Sequence, residues 1–409
     1  MIDREIAPEL LESASEYPAV TLFGPRQSGK TTITKTLFGD LPYFSFENPD
    51  IKSVAQRDPR GFLKPLGNRA IFDEIQRVPE LLSYLQEVLD ENRGSARFIL
   101  TGSHQPLLDQ TVGQSLPGRT AVLTLMPFTY SEIARYKRKE TVFESIHKGT
   151  YPGLHEHRLS VKRFYRSYVQ TYVERDVRSL VNVQDLDRFQ TFLALLAGRI
   201  GGLINLSSLS NDVGMSSTTL RKWLNVLKAS YLIFELPPYH ANIRKRIVKS
   251  TKLYFTDTGL ACYLLGIDNA DQLKRDRLRG GLFENFVVME IYKTLLNRGE
   301  SPALYFLRDH RGMEIDLLIK RGASLIPVEI KSAETFSVDF VESIHKFKPY
   351  FKDQLSEGYV VYGGTETFTI EGTKAVRIEP FFAGALLDKK VETEEEKSEK
   401  EKRSRPFRP

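Results

Sequence analysis

Residues 24–31 read Gly24-Pro25-Arg26-Gln27-Ser28-Gly29-Lys30-Thr31 and satisfy the pattern G-x-x-x-x-G-K-[ST] at every fixed position. An apolar, strand-like run at Ala19–Phe23 precedes this stretch, and a helical pattern over Lys30–Leu37 follows it. Glycines let backbone N–H groups turn inward on a phosphate, and the start of a helix adds partial positive charge. The combination of strand, glycine-rich turn and helix predicts a loop that binds the phosphates of a nucleotide.

The residues of this loop have separate expected roles. Lys30 is expected to reach the β- and γ-phosphates of a nucleoside triphosphate, and the Thr31 hydroxyl to ligate Mg²⁺. ATP is the expected nucleotide. The predicted nucleotide-binding set comprises Gly24, Pro25, Arg26, Gln27, Ser28, Gly29, Lys30, Thr31 and Thr32.

A second pattern is the apolar strand at 70–72, which ends in two acids, Asp73 and Glu74. In a phosphate-binding sheet the first acid holds Mg²⁺, directly or through water, and the second polarises the attacking water. An acidic strand end is common by itself, but beside the phosphate-binding pattern it is specific. Asp73 and Glu74 are therefore predicted to act with Lys30 in hydrolysis.

Two further features leave alternatives open. Thr101 and Ser103 follow the apolar segment Arg97–Leu100, which makes them candidates to contact the γ-phosphate; a strand-to-helix turn with a serine cap explains them equally well. Arg119 precedes a later strand and is a candidate arginine finger for a neighbouring subunit, an effect worth roughly 10³–10⁵ in rate. Its alternative is a helix cap or pairing with a local acid.

Short apolar runs alternate with helical patterns through the first part of the chain. Such alternation indicates an α/β fold with a largely parallel sheet covered by helices on both faces. The predicted strands are Ala19–Phe23, Tyr43–Phe46, Ala70–Phe72, Arg97–Leu100 and Ala121–Leu125. The predicted helices are Lys30–Leu37, Glu80–Asp90 and Gln105–Leu116.

The middle of the chain turns to helical periodicity, with helices predicted at Arg163–Val181 and Leu186–Ile200. Residues 206–220, with Gly214 at the turn, read as a helix-turn-helix, and a β-like segment follows. This layout suits entry of the second helix into a DNA major groove, although a packing or protein-docking module fits equally well. The outward face of that helix would carry Ser217, Thr218, Arg221 and Lys222, and its inward face Leu220, Trp223, Leu224 and Leu227.

Carboxylates recur at strand-like positions near the C-terminus. Alternation places Glu314 and Asp316 on one face of a strand, and Glu329 and Lys331 on one face of the next. Glu284 lies on the apolar stripe of a helix, where burial requires a partner. These residues fit a site for a hard cation, which carboxylates bind. The same pattern is equally typical of half-exposed strands whose charged side chains form ordinary ion pairs.

The length, composition and net charge of the chain limit the classes of function that it can have. At 409 residues the chain is too long for one compact core, and its single cysteine, Cys262, excludes an internal disulfide and a cysteine-based zinc site. No apolar run approaches the roughly 20 residues of a membrane span, and the N-terminus lacks a signal-peptide pattern, so a cytoplasmic protein with no membrane partner is expected. The net charge of +6 permits a nucleic-acid partner without requiring one.

Taken together, the motifs resemble the prokaryotic AAA-type P-loop ATPases, in the branch whose ATPase module is fused to a C-terminal domain of unknown function. The resemblance implies an AAA-like core that dimerises or forms a ring. Its supporting stretches are residues 24–32, 71–76 and 100–103, Gly118-Arg119, Pro127-Phe128, and residues 172–176 and 254–260.

The late carboxylates resemble the PD-(D/E)XK nuclease superfamily, which includes Holliday-junction resolvases. By this resemblance Glu284, Asp316 and Glu329 would gather Mg²⁺, and Lys331 would stabilise charge or orient the attacking water. The expected domains are then an AAA-like ATPase domain at 1–155, a helical and winged-helix domain at 156–270, a mixed α/β nuclease-like domain at 271–386 and a disordered charged tail at 387–409.

The first hypothesis is a homo-oligomeric, Mg²⁺-dependent ATPase whose nucleotide state controls a winged-helix and nuclease-like half that acts on nucleic acid, with branched DNA as a substrate. The alternative is an ATP-driven signalling or defence switch that binds protein partners through a catalytically inert C-terminal domain. DNA binding that weakens steeply as salt rises would separate the first from the second.

Overall fold

The chain divides into two compact units, the first comprising Met1–Leu236 and Ser250–Pro302, the second Pro237–Lys249 and Ala303–Pro409. The domain boundaries expected at 155, 270 and 386 stay predictions. Within the described residues, no helix is both long and apolar enough to cross a membrane. The computed structural model describes residues 2–92, 97–103, 116–136, 140–157, 159–177, 185–239, 250–309, 311–351, 354–379 and 382–388.

Five strands of the first unit form a sheet: β1 (Ala19–Gly24), β2 (Tyr43–Ser45), β3 (Arg69–Asp73), β4 (Arg97–Ser103) and β5 (Thr120–Thr124). All neighbours are parallel, in the order β2-β3-β4-β1-β5, which confirms the predicted parallel α/β sheet. Leu22 of β1 pairs with Thr101 of β4. Because the carboxyl ends of parallel strands meet at one edge, the loop after β1 lies beside the ends of β3 and β4.

Both faces of this sheet are buried, as is usual for parallel sheets. Along β4, Phe98 and Leu100 pack into the core on one face and Ile99 into the core on the other. The helix predicted at 105–116 lies outside the described residues except for Leu116. The helical elements here are α1 (Ala7–Glu16), α2 (Lys30–Leu37), α3 (Pro49–Arg57), α4 (Pro59–Leu63) and α5 (Leu81–Glu91), with 3₁₀ turns at Lys64–Leu66 and Ile75–Arg77.

The first unit continues with helices α6 (Tyr130–Tyr136), α7 (Val142–Lys148), α8 (Pro152–Glu156) and α9 (Val161–Tyr168). The helix predicted over Arg163–Val181 consists of α9 followed by a π-helix at Val169–Val177, and its last four residues lie outside the described ranges. π-Helices are rare, and those that occur are often found at functional sites. Here the guanidinium of Arg26, from the glycine-rich loop, lies 5.6 Å from the centre of the Tyr172 ring.

Three helices and a two-stranded antiparallel sheet occupy the predicted helix-turn-helix region. The elements are α10 (Leu186–Ala197), α11 (Leu206–Val213), α12 (Ser217–Ala229), β6 (Ile233–Leu236) and β7 (Lys252–Phe255). Gly214 ends α11 in the left-handed conformation, with φ +70°, which confirms the predicted turn. Helices α13 (Thr258–Leu264), α14 (Ala270–Arg275) and α15 (Arg279–Asn297) complete the unit.

The second unit contains a six-stranded mixed sheet in the order β12-β13-β11-β10-β9-β8. Strands β8, β9 and β10 form an antiparallel meander, and β11 then runs parallel to β10. The predicted mixed α/β C-terminal region is thereby confirmed. Its elements are β8 (Leu304–Arg308), β9 (Glu314–Arg321), β10 (Ser324–Lys331), a 3₁₀ turn (Val338–Val341), α16 (Glu342–Phe351), β11 (Gly358–Tyr362), β12 (Phe368–Ile370), β13 (Thr373–Arg377) and α17 (Phe382–Leu387).

Candidate functional site

The glycine-rich loop joins β1 to α2, and two of its glycines have conformations that explain their identity. Gly24 has φ +150°, and a Cβ atom at this position would overlap the carbonyl oxygen of Leu125. Gly29 has φ +97° immediately before α2. L-residues rarely adopt such angles, so both positions require glycine. Between them, the buried Ser28 Oγ has no hydrogen-bond partner within the described part of the chain, as expected for a group that faces a ligand.

Lys30 begins α2 and is buried within the loop. Its ammonium group donates to the carbonyl oxygens of Gly24 and Pro25, both at 2.9 Å. Burial lowers the pKa of Lys30 to about 8, although the carboxylates of Glu74 and Asp73 act in the opposite direction. Its positive charge is therefore only partly compensated, which favours an anionic ligand.

Asp73, at the end of β3, accepts hydrogen bonds from three hydroxyl groups. Thr31 Oγ1 lies 3.0 Å from its Oδ2, Tyr43 Oη lies 2.6 Å from the same oxygen, and Thr101 Oγ1 donates to Oδ1. Burial and the adjacent carboxylate raise the pKa of Tyr43 above its ordinary value, so the tyrosine remains a donor. Carboxylate and hydroxyl oxygens of this kind fit the ligand preference of Mg²⁺.

Glu74 follows directly and adopts a left-handed backbone conformation, with φ +59° and ψ +46°. Non-glycine residues in this region carry strain, and such strain is concentrated at functional sites. The Glu74 carboxylate accepts from Gln76 Nε2 and from Ser103 Oγ, the latter at 3.4 Å. Thr101 and Ser103 therefore lie beside the two predicted catalytic acids.

Arg119 lies apart from these groups and forms a bidentate ion pair with Asp90. Its Nε and Nη2 atoms are 2.7 and 2.8 Å from the two carboxylate oxygens. The pairing with a local acid that the sequence left open is thus present. The role of Arg119 as a finger for a neighbouring subunit stays a prediction.

Two features of the site were not found by sequence reasoning. Arg4, which precedes α1, donates to the carbonyl oxygen of Ser28 within the loop at 2.8 Å. A cavity of about 230 Å³ borders Gly29 and Thr32. Its remaining lining includes Ile2, Asp3, Ile33, Phe128, Pro152 and Glu156. These residues lie far apart in sequence and carry no motif, so no local signal identifies them.

The second unit brings together three of the residues predicted for a nuclease-like site. Lys331 Nζ lies 3.0 Å from Asp316 Oδ2 and 2.7 Å from Glu329 Oε2. Asp316 also accepts from the backbone N–H of Ile330 at 2.8 Å. The two carboxylates raise the pKa of Lys331 above its ordinary value, against the effect of burial.

Glu329 is 1 % exposed, and its Oε1 atom has no hydrogen-bond partner among the described residues. Burial, and then the neighbouring Asp316 carboxylate, raise the pKa of Glu329 well above its ordinary value. A buried carboxylate oxygen without a donor is costly. A proton or a divalent cation would remove that cost, so the donor set fits a metal ion.

Glu284, the fourth residue of the predicted set, belongs to the first unit. Its carboxylate accepts from Lys252 Nζ at 2.7 Å and from Tyr254 Oη at 2.5 Å. The expectation that a carboxylate on this apolar stripe has a partner is confirmed.

Helix α12, the second helix of the predicted helix-turn-helix, presents the predicted outward and inward faces. Ser217, Thr218, Arg221 and Lys222 are exposed. Leu220, Trp223, Leu224 and Leu227 are buried. Arg221 lies 3.6 Å from the carboxylate of Glu235, which partly compensates its charge. The predicted winged-helix region also contains the basic residues Arg244, Lys245 and Arg246, which lie outside the described residues.

Comparisons with known proteins divide the chain into three segments. Residues 16–134 match the family model described as an AAA domain. Residues 139–271 and 279–381 match models described as domains of unknown function, DUF8612 and DUF4143. The first segment is thus an AAA-type P-loop ATPase domain, as its motifs implied.

Similar proteins cover most of the chain. An uncharacterized protein of Mycobacterium tuberculosis is 29% identical over 377 residues, which are 90% of this chain and 82% of that protein. An uncharacterized protein of Haemophilus influenzae is 23% identical over 317 residues, 74% of each. Among solved structures, a Walker-type ATPase of Pyrococcus abyssi is 17% identical with a TM-score of 0.45, over 64% of this chain and 96% of that one.

Proposed function

We propose that this protein binds MgATP at residues 24–32 and hydrolyses it, and that the nucleotide state controls a C-terminal half that acts on nucleic acid. The observation that carries the first part is the convergence of Lys30, Thr31, Asp73 and Glu74 around one glycine-rich loop. This arrangement supports the proposal, because phosphoryl transfer needs a cation, metal ligands and a base.

The residues of the site would have separate chemical roles. Lys30 would exchange the carbonyl oxygens of Gly24 and Pro25 for phosphate oxygens, which carry more negative charge. Thr31 and Asp73 would hold Mg²⁺, which neutralises charge on the phosphates. Glu74 would orient the attacking water and accept its proton, while Ser103 keeps the Glu74 carboxylate in place.

The cavity beside Gly29 supports a nucleotide over a simple phosphate as the ligand. Its walls include the apolar side chains of Ile2, Ile33 and Phe128, and acids occur at Asp3 and Glu156. A nucleobase has apolar faces and polar edges, and it matches such a surface. Sites for the base and for the phosphates are therefore adjacent.

Hydrolysis of MgATP by the full chain tests this assignment. Lys30→Ala should lose nucleotide binding, because the loop then lacks its cation, and Glu74→Gln should bind MgATP but fail to turn it over. Lys64→Ala, which removes an exposed lysine outside the site, serves as the control. Full turnover by Lys30→Ala would show that the site is wrongly assigned.

For the C-terminal half we propose metal-dependent cleavage of a phosphodiester. The observation that carries it is the Oε1 atom of buried Glu329, which lies beside Asp316 and Lys331 and has no hydrogen-bond partner in the part of the chain that the structure describes. Asp316 and Glu329 would hold Mg²⁺, and Lys331 would stabilise the charge that develops on the phosphate. The antiparallel meander places these groups at adjacent positions on β9 and β10.

Nucleic acid is proposed as the substrate because α11 and α12 have helix-turn-helix order and an exposed polar face on α12. A second helix of this kind enters a major groove when its exposed residues contact bases and phosphates. Binding should weaken steeply as salt rises, since phosphate contacts release counterions.

Cleavage of branched or flapped DNA with Mg²⁺ tests this second part. The parent should cleave, Asp316→Ala should not, and Asp339→Ala, an exposed acid of the same unit, should behave as the parent. Equal background in the parent and Asp316→Ala would remove the nuclease proposal. If the protein also fails to bind DNA at low salt, the alternative hypothesis of a signalling or defence switch that binds protein partners is favoured.

A further inference from the structure

Arg4 is a buried arginine whose guanidinium group joins three parts of the first unit. Its Nη1 donates to the carbonyl oxygen of Ser28 at 2.8 Å, its Nη2 to that of Met126 at 2.7 Å, and its Nε to Glu132 at 3.0 Å. The guanidinium carbon lies 4.8 Å from the centre of the Phe128 ring. The side chain is only 8% exposed, so these contacts replace its solvation by water.

The acceptor in the loop is the carbonyl of the peptide that joins Ser28 to Gly29. A trans peptide is planar, so its C=O and N–H point in opposite directions, and the described residues contain no cis peptide. A carbonyl held outward by Arg4 therefore directs the Gly29 N–H to the other side, into the loop. Gly29 has φ +97° and no side chain, so nothing at Gly29 itself prevents this peptide from rotating.

We infer that Arg4 is a positioning residue for the phosphate-binding loop: it fixes the Ser28–Gly29 peptide so that its N–H faces the phosphates. This inference rests on the proposed nucleotide function. Inward-facing backbone N–H groups are what such loops use to hold phosphate oxygens. Arg4 supplies this orientation from outside the loop, through the carbonyl oxygen of Ser28.

The position of Arg4 is in turn fixed by Glu132. The carboxylate of Glu132 is fully buried and also accepts from the backbone N–H groups of Glu5 and Thr129, at 2.7 and 2.8 Å. A planar guanidinium with several fixed donors suits this arrangement better than a single ammonium. The N-terminal segment, the loop and the start of α6 are thereby held in one arrangement.

The steady-state kinetics of MgATP hydrolysis test this inference. Arg4→Met keeps an unbranched side chain but removes all donors. It should raise KM about tenfold, the scale of one charge-assisted hydrogen bond, and leave kcat within about twofold, because Glu74 and Asp73 are untouched. Arg4→Lys retains one donor and should give an intermediate KM. The control is Arg135→Met, which removes the ion pair between Arg135 and Glu5, the residue next to Arg4 in the sequence.

A purely structural role for Arg4 predicts a different pattern, since a smaller folded fraction lowers kcat and leaves KM unchanged. That pattern, or a parental KM in Arg4→Met, would overturn the inference. If Arg4→Met does not fold, Arg4→Lys is used in its place: a raised KM supports the inference, and a parental KM overturns it. Absence of MgATP binding and hydrolysis in the parent would instead contradict the proposed function.

Discussion

The nucleotide site of the first unit and the acidic site of the second each combine a lysine with two carboxylates, yet the pKa of the lysine is shifted in opposite directions. Lys30 donates to two backbone carbonyl oxygens, and burial lowers its pKa to about 8. Lys331 contacts the carboxylates of Asp316 and Glu329 directly, and its pKa is raised. The difference is the nearest acceptor, which is neutral in one site and charged in the other.

This difference shows why similar residues select ligands of opposite charge. At the first site the positive charge of Lys30 lacks a full counter-ion, and we expect phosphate to complete the site. At the second site Lys331 is already compensated, and among the described residues the group left without a partner is an oxygen of Glu329. We expect a cation to complete that site. The nearest contacts of each lysine, and not its residue type, decide the ligand.

The largest expected effect comes from the same substitution at both lysines. Lys331→Met leaves two acids without their cation and should lower the free energy of unfolding by about 2 kcal/mol or more, reduced from the value for a fully buried pair because Lys331 is partly exposed. Lys30→Met removes a buried charge and should raise the Tm of the nucleotide-free protein at pH 7. Thermal and denaturant unfolding measure both. Changes of the same sign in the two variants would contradict the comparison.

A smaller effect is expected from Glu329→Gln, which removes the charge of a carboxylate whose Oε1 atom has no hydrogen-bond partner among the described residues. Because folding raises the pKa of Glu329 above 4.5, the folded state binds the proton more tightly, and stability falls as pH rises above that value. Glu329→Gln should flatten this dependence and remove any rise in Tm caused by MgCl₂. Melting curves across pH, with and without MgCl₂, measure it. A parental response to MgCl₂ in the variant would exclude Glu329 as a metal ligand.

The smallest effect is a fraction of a proton taken up when MgATP binds. Above a pH of about 8, more than half of the Lys30 side chains in the nucleotide-free protein are deprotonated, and phosphate oxygens should restore the proton. Calorimetric titrations at pH 8.5 in two buffers of different ionisation enthalpy measure this uptake. Lys30→Arg should show none, because arginine stays charged throughout this range. Equal uptake by Lys30→Arg would assign the proton to another group.

Much of the first unit follows from short sequence patterns. The strand predicted at Ala19–Phe23 is observed at Ala19–Gly24, and the helix predicted at Lys30–Leu37 has those bounds. The helix predicted over Arg163–Val181 is helical as far as the structure describes it, but it changes from an α-helix to a π-helix at Val169. Apolar periodicity is nearly the same in both helix types, so the pattern does not separate them. The sequence did not identify Asp90 as the partner of Arg119 either, since Asp90 belongs to another element.

Local order along the chain was sufficient to locate the phosphate-binding loop, because its amides, its lysine and its threonine are consecutive residues and act together wherever a strand leads into a helix. It also placed Glu314 with Asp316 on one face of a strand, and Glu329 with Lys331 on one face of the next, since side chains alternate with a period of two. That Asp316 acts with Glu329 and Lys331 was implied by the resemblance to a nuclease superfamily. The charge state of each lysine, the contact of Arg4 with the loop and the hydroxyl of Tyr43 on Asp73 depended on packing. They join segments far apart in sequence, and burial and distance, which set their energies, exist only after the chain has folded.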